Sequence, residues 1–409
     1  MLNKSLTNKI NLLTFLLFFS FLARVIQVYF IRDLLFENEW NILVNNLIKY
    51  KSYAYYNFNE QLIPSVYMPP LYAFFIYFIK IITTTNGTEL LYIIILIQIL
   101  LSTYSVYLFY QLNGNFFSKK ISLINSSIYS LIPLNLYACG QISSITLQVF
   151  LSLLFLNLLF LIIKEKTKKN IIFFSFTSSL LILIRGEFIL IFIFIIFFIF
   201  IKKKIKVKNM VKILLIVALI ISPYIARNYI HFNQIFIVKS LGYNLWKGNN
   251  ELSKVEGHAE SFEKEEHKNV KAKIDNLKKD KFYELNRDKV LLNEAINNLK
   301  ENPIRYILQY IKKFLSFFFV DLQSTYPSYY NFFHIFPMIL ISLFSFAGLP
   351  VIFKDRKLES KFLLFYLVAN LVIFSIFSIL PRYKLIIIPI QIISASYFII
   401  YLFKKVKKV

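Results

Sequence analysis

Positive and negative charge are segregated along this chain, and that segregation constrains its architecture more than any motif does. Long runs of Phe, Ile and Leu are interrupted by short basic islands at residues 119–120, 164–169, 202–212, 354–357 and 404–408. The carboxylates concentrate elsewhere, at 33–39 and in the polar stretch 240–301. Basic loops stay cytoplasmic, whereas translocated segments carry little constraint on acidic residues. The two acidic segments are therefore expected to face outward together, with both termini in the cytoplasm and any active site on the outer face.

A chain that is 57% hydrophobic and 18% aromatic, with a mean hydropathy of +0.59, is not an ordinary soluble domain. About ten stretches approach the apolar length that crosses a hydrocarbon core. The expected class is an all-α polytopic protein of the inner (cytoplasmic) membrane with about ten transmembrane helices. Outer juxtamembrane helices and one larger outward-facing helical loop complete it. The net charge of +25 would suggest nucleic acid in a soluble protein. Here the lysines cluster beside apolar spans, so the expected partner is the lipid bilayer and not nucleic acid. The lone Cys139 excludes an intrachain disulfide. Residues 10–31 lack a small-residue cleavage site and end at Arg32-Asp33, which predicts an uncleaved first span.

An outer loop, 32–88, follows that span and contains an apolar stretch at 71–82. This stretch is too short for an untilted crossing, and counting it as one would place the basic islands outside. It is expected to lie in the outer interface, with Pro69 and Pro70 at its start, where proline costs least. Further spans are expected at 89–110, 121–138 and 142–163. Both flanks of 170–201 are basic, so the chain should go out and return as paired short helices around Arg185-Gly186-Glu187. A span at 212–226 leads to a water-facing segment, 231–302, in which Leu291, Leu292, Ala295, Ile296 and Leu299 share a helical face. After Pro303, residues 304–320 read as amphipathic and interfacial. Spans at 332–353, 361–380 and 385–403 close the chain. The expected division is an N-terminal module 1–230, an outward-facing segment 231–331 and C-terminal helices 332–409.

Asp33, Glu37 and Glu39 precede a helical face carrying Trp40, Val44 and Leu47. Glu37 and Glu39 point in different directions on one helix, so at most one faces a given substrate. Solvation alone accounts for most such carboxylates, but one held against an apolar surface is suited to general-base work. Arg24, Arg185, Arg227, Arg382 and Lys384 are expected at the outer boundary, where snorkelling to headgroups explains most single cations. Arg382-Tyr383-Lys384 is less easily explained so, because it follows Pro381 on the side where positive charge is disfavoured. A cation pair there suits a lipid-linked phosphate or pyrophosphate. The four histidines have no metal-ligand spacing, and no Gly-rich phosphate loop is present.

Tyr67-Met68-Pro69-Pro70-Leu71-Tyr72 resembles the RPPLYP motif of bacterial relatives of dolichyl-phosphate-mannose protein mannosyltransferases. These form the family 39-like branch of the GT-C superfamily of integral-membrane glycosyltransferases. Leu183-Ile184-Arg185-Gly186-Glu187 is similar to the family's LTRPE segment, and Gly242-Tyr243-Asn244-Leu245-Trp246-Lys247-Gly248-Asn249-Asn250 to its G.NLW.GNN segment. Residues 224–232, 295–314 and 381–389 resemble further motifs, in the same order over nearly the whole chain. The resemblance implies a GT-C-like fold and transfer of a sugar from a polyprenyl-phosphate donor to an acceptor at the outer face. The family's essential acid lies in the first outer loop, which makes Glu37, then Glu39, the matching carboxylate. Arg382, Lys384 and Arg227 match donor-phosphate contacts. Asp33, Tyr67, Tyr72, Arg185, Tyr383, Asn244 and Trp246 are candidates for contacting substrate. The chain departs from the family in having Glu for Asp at the acid, Met68 before the proline pair, and no acid near Ile145. No cofactor is required by the pattern, and a divalent cation near the carboxylates is compatible with it. The competing classes are a flippase or transporter of a lipid-linked saccharide, and a saccharide polymerase or ligase using a lipid pyrophosphate. A transporter would line several span interiors with charge.

Overall fold

The computed structural model describes residues 2–32, 38–58, 60–256, 262, 264–324 and 331–406, with side chains from residue 12 onward. Helix α1 (Leu2–Phe30) leads to α2 (Glu39–Tyr50), the strands β1 (Ala54–Phe58) and β2 (Gln61–Pro64), and the short apolar helix α3 (Pro70–Thr83). The chain then runs through α4 (Gly87–Asn113), α5 (Lys119–Ser130), α6 (Pro133–Cys139) and α7 (Ile145–Lys164). Next come α8 (Lys168–Ile184), α9 (Phe188–Ile201) and α10 (Val207–Phe232). The long polar segment contributes α11 (Leu241–Gly248), α12 (Lys268–Asp275), α13 (Tyr283–Glu301) and α14 (Pro303–Phe318). The chain closes with α15 (Phe332–Lys354), α16 (Leu358–Ile376), a 3-10 turn (Pro381–Ile386) and α17 (Ile388–Val406).

Among the described residues, six helices are long and apolar enough to cross a bilayer: Leu12–Phe30 of α1, then α4, α7, α10, α15 and α16. Large apolar side chains on their outer faces stay uncovered, among them Phe15 at 67%, Leu219 at 72% and Phe346 at 59% exposure. Water does not tolerate such a belt on a soluble monomer, whereas lipid does, provided that backbone polar groups are satisfied within the helices.

The paired-helix expectation for 170–201 matches what forms, α8 and α9 of 17 and 14 residues. The Arg185 N–H still closes on the Leu181 carbonyl at 2.9 Å, and the chain then reverses through Gly186 and Glu187. The expected uninterrupted span at 121–138 is instead broken between α5 and α6. Pro133 has no N–H to continue the helix and restarts it at the first position of α6. The small antiparallel hairpin, with Ala54 opposite Pro64 and Phe58 opposite Gln61, was not expected in a helical chain. Arg24 also differs from expectation. It is fully buried within the bundle, where Nε donates to Ser102 Oγ at 2.7 Å and Nη1 to the Ser20 carbonyl at 2.9 Å.

Side-chain contacts define two ends. At the basic end, Lys164 Nζ donates to Asn115 Oδ1 at 2.6 Å and lies 3.9 Å from Glu359. Lys357 Nζ donates to the Asn115 carbonyl at 3.1 Å, so loops distant in sequence are clasped together there. The polar end collects α2, the hairpin, α11 to α13 and the 381–386 turn.

Candidate functional site

At the polar end the first loop is held by the last acidic helix. Glu284 of α13 is buried and accepts hydrogen bonds from Val66 N at 2.6 Å, Tyr67 N at 2.9 Å and Ser65 Oγ at 3.1 Å. Burial pushes its carboxyl above the usual range, and the three donors only partly oppose that. One turn on, Arg287 donates to Tyr56 Oη at 2.9 Å and lies over the Tyr243 ring at 5.4 Å. Asp288 accepts from Tyr243 N at 2.9 Å and anchors the start of α11. Gly242 is required at that junction, because a Cβ there would sit 2.0 Å from the Asp288 carbonyl oxygen.

Sequence reasoning missed Glu284, Arg287 and Asp288. The signal was present: with Leu291 and Ala295 they fall at i, i+3, i+4, i+7 and i+11, one continuous stripe of α13. Charged residues on an amphipathic helix read as its solvated face, and here they are the packed one.

A file of rings and cations runs from this junction to the far side of the polar end. Tyr67 meets Tyr243 edge to face at 5.1 Å, and Lys247 lies over the Tyr243 ring at 5.7 Å. Lys247, Arg185 and Arg382 all act on Tyr383. The Arg185 guanidinium is 4.6 Å from the Tyr383 ring centroid and Arg382 is 5.9 Å from it. Burial alone pushes the Tyr383 phenol up. Arg185 and Arg382, a hydrogen bond from Arg185 and the charge of Lys247 outweigh it and hold the phenol below its usual value. Arg185 is aimed by Gln148 in the first turn of α7, whose Oε1 accepts from Nε at 3.0 Å, and Glu187 lies 3.8 Å away. Arg382 is exposed at the mouth of the cluster.

The start of α2 contacts the turn that precedes α7, the helix that carries Gln148. Asn38 caps α2 by accepting from Trp40 N at 3.1 Å, and its Nδ2 donates to the Ile142 carbonyl at 3.5 Å, in the turn just before α7. Glu39 is exposed in the first turn of α2 and its charge acts on Tyr55. Asp33 and Glu37 lie outside the described residues.

Several candidates sit apart from this file. Lys384 is buried 3.4 Å from the buried Glu256, whose backbone bridges to Ile379. Burial works against both charges and their mutual attraction opposes it. Arg227 is spent on neutral acceptors: Nη1 donates to the Ser65 carbonyl and Asn228 Oδ1, each at 2.8 Å, and Nη2 to the Tyr53 carbonyl at 2.9 Å. Tyr72 is buried and donates to Gln98 Oε1 at 2.8 Å. Trp246 is buried in the small core of the polar end, stacked on Phe262 at 5.0 Å, and Asn244 bonds back to the carbonyl of Ser240, just before α11. Among the described residues no three His, Cys, Asp or Glu side chains cluster, so none is assigned to a divalent cation.

No family model matches the chain, and no curated protein matches it. The fold is that of a multi-pass helical membrane protein with a charged site at one end, and solved structures share it. They include the oligosaccharyltransferase AglB of Archaeoglobus fulgidus. Its complex with an inhibitory peptide and a dolichol-phosphate aligns with a TM-score of 0.56 at 15% identity, over 96% of this chain and 50% of that one. The form tethered to an acceptor peptide gives 0.57 at 14% identity, over 96% and 50%. The chain thus spans about half the length of the structures it matches. At such identity the likeness is one of fold.

Proposed function

We propose that the protein is a GT-C-type glycosyltransferase of the inner membrane. It transfers a sugar from a polyprenyl-phosphate donor to an acceptor hydroxyl, or a similar nucleophile, at the outer face. Ten crossings, with both termini in the cytoplasm, put the basic end inside and the polar end outside. The donor sugar is a hexose or pentose, as in the mannosyltransferase-like branch that the motifs resemble. The observation that most supports this is the convergence of Arg185, Arg382 and Lys247 on Tyr383, with Arg185 held by Gln148, six residues beyond the Ile142 carbonyl that Asn38 contacts. In this reading the first-loop acid stands beside those cations, as a displacement at a lipid phosphate requires. The dolichol-phosphate bound in one AglB structure is consistent with a lipid carrier for this fold.

In the proposed step the Glu37 carboxylate, or else Glu39, takes the proton of the acceptor hydroxyl. The hydroxyl oxygen attacks the anomeric carbon, the bond from that carbon to the phosphate oxygen breaks, and the lipid phosphate leaves with the electron pair. Configuration inverts. Arg382 and Arg185 stabilise the charge that develops on the departing phosphate. Lys384 and Arg227 serve by positioning: Lys384 fixes the turn that carries Arg382, and Arg227 fixes the hairpin that follows α2.

The test is transfer of labelled sugar from polyprenyl-phosphate donors in proteoliposomes. Glu37→Gln is expected to slow transfer about a hundredfold or more with donor binding retained. Full transfer by both Glu37→Gln and Glu39→Gln sinks the base assignment. Donor crossing the membrane unconsumed favours the flippase reading.

A further inference from the structure

Strand β1 carries an extra residue relative to its partner. Between the pairs Ala54–Pro64 and Asn57–Leu62, Tyr55 and Tyr56 stand against Ile63 alone. Successive side chains of a regular strand point to opposite faces, and a bulge of this kind re-aims one of them. The two rings accordingly meet edge to face with centroids 4.9 Å apart, and both stay half-buried. Arg287 of α13 serves the same pair: it donates to Tyr56 Oη at 2.9 Å and its charge acts on Tyr55. Glu39, in the first turn of α2, acts on Tyr55 as well.

We propose that this bulged hairpin and Arg287 bind the acceptor, and that the acceptor is a glycan. A pyranose has an apolar C–H face and a rim of hydroxyl groups. The Tyr55 ring suits the face, and the rigid guanidinium fork suits two neighbouring hydroxyl oxygens. The fork is uncommitted: among the described residues its one hydrogen bond is to Tyr56, and no carboxylate pairs with it. Glu284 and Asp288, its neighbours on α13, accept instead from the amides of Val66, Tyr67 and Tyr243. The patch is also continuous with the cation cluster, since Arg287 and Lys247 both lie over the Tyr243 ring, at 5.4 and 5.7 Å, and Lys247 acts on Tyr383. An extended peptide would pair its main chain with a strand edge, which the bulge interrupts here. A phospholipid headgroup offers charge but no apolar ring face.

That the bound glycan is the acceptor rests on the transferase reading, so binding is measured without donor. Saturation-transfer NMR on the full chain, in a detergent without a sugar headgroup, would use chitotriose, maltotriose and mannotriose as probes, with a serine-containing hexapeptide beside them. Signal is expected on at least one trisaccharide. Arg287→Met is expected to weaken that binding about tenfold. Tyr55→Leu, at a half-exposed position, is expected to weaken it about three- to tenfold, and it carries the test should the first variant misfold. Tyr56→Phe removes the phenol that holds Arg287 yet keeps the ring, and it is expected to bind as the parent does. Loss in Tyr56→Phe equal to that in Arg287→Met would show that Arg287 merely braces the hairpin, and it overturns the proposal. So does silence on every trisaccharide, or equal signal on the peptide; the transferase reading survives each of these. Conversely, a trisaccharide that binds but never receives sugar from a donor the protein consumes leaves a glycan site that is not the acceptor's, and overturns that assignment.

Discussion

Lys384 and Glu256 show how little the chemistry of a residue says about its availability. Both are buried, 3.4 Å apart, and removing one leaves the other without its counter-charge in a buried site. Lys384→Met and Glu256→Leu are each expected to destabilise by about 3–5 kcal/mol, whereas the double change recovers most of that loss. Thermal unfolding of the four chains closes this cycle, and additive losses would refute it. A second buried cation carries a pH signature. Lys313 of α14 donates to the Gly248 carbonyl at 2.5 Å, and burial lowers its pKa to about 7. The unfolded chain binds more protons than the folded one between that value and the ordinary lysine range, so this group makes stability rise with pH across the window and level off above it. Lys313→Met is expected to flatten the rise, as read by unfolding at a series of pH values.

At the scale of elements, what was legible depended on whether the signal was local. The α8–α9 hairpin was legible because Arg185, Gly186 and Glu187 punctuate an otherwise apolar run. Pro133 was equally visible, yet the apolar length around it read as one span, and the restart at α6 was missed. The hairpin of β1 and β2 is a few aromatic residues long, and its pairing is fixed by contacts that no short window contains. Lys384 finds its partner 128 residues upstream, and Glu284 finds Val66 218 residues upstream, so neither carried a local mark. Charge placement brought Arg185 and the Arg382-Tyr383 pair into view and the resemblance added Tyr67, and these are the candidates joined in one file. Gly248 links two elements in the same way: a Cβ there would lie 2.5 Å from the Phe377 carbonyl carbon, where α11 presses on the end of α16. Gly248→Ala is expected to cost about 1–3 kcal/mol and to raise hydrogen exchange in the turn 377–387. An unchanged exchange pattern would show that the contact yields without consequence.

For the whole molecule, the orientation proposed from charge makes a direct prediction. In a Cys139→Ser background, cysteines introduced at Glu265 and Lys166 are expected to label from opposite sides of intact cells, with Glu265→Cys reached first by a membrane-impermeant reagent. Labelling of Lys166→Cys from outside would invert the molecule and remove the proposed exoplasmic site. The clasp at Asn115 then has a mechanical consequence. Lys164 and Lys357 tie three turns to one asparagine, so the basic end of the bundle is laced together. Were the helices to spread about that laced end to admit a bulky headgroup, the largest excursion would fall at the opposite end, where α8 stops at Arg185 and the 3-10 turn carries Arg382.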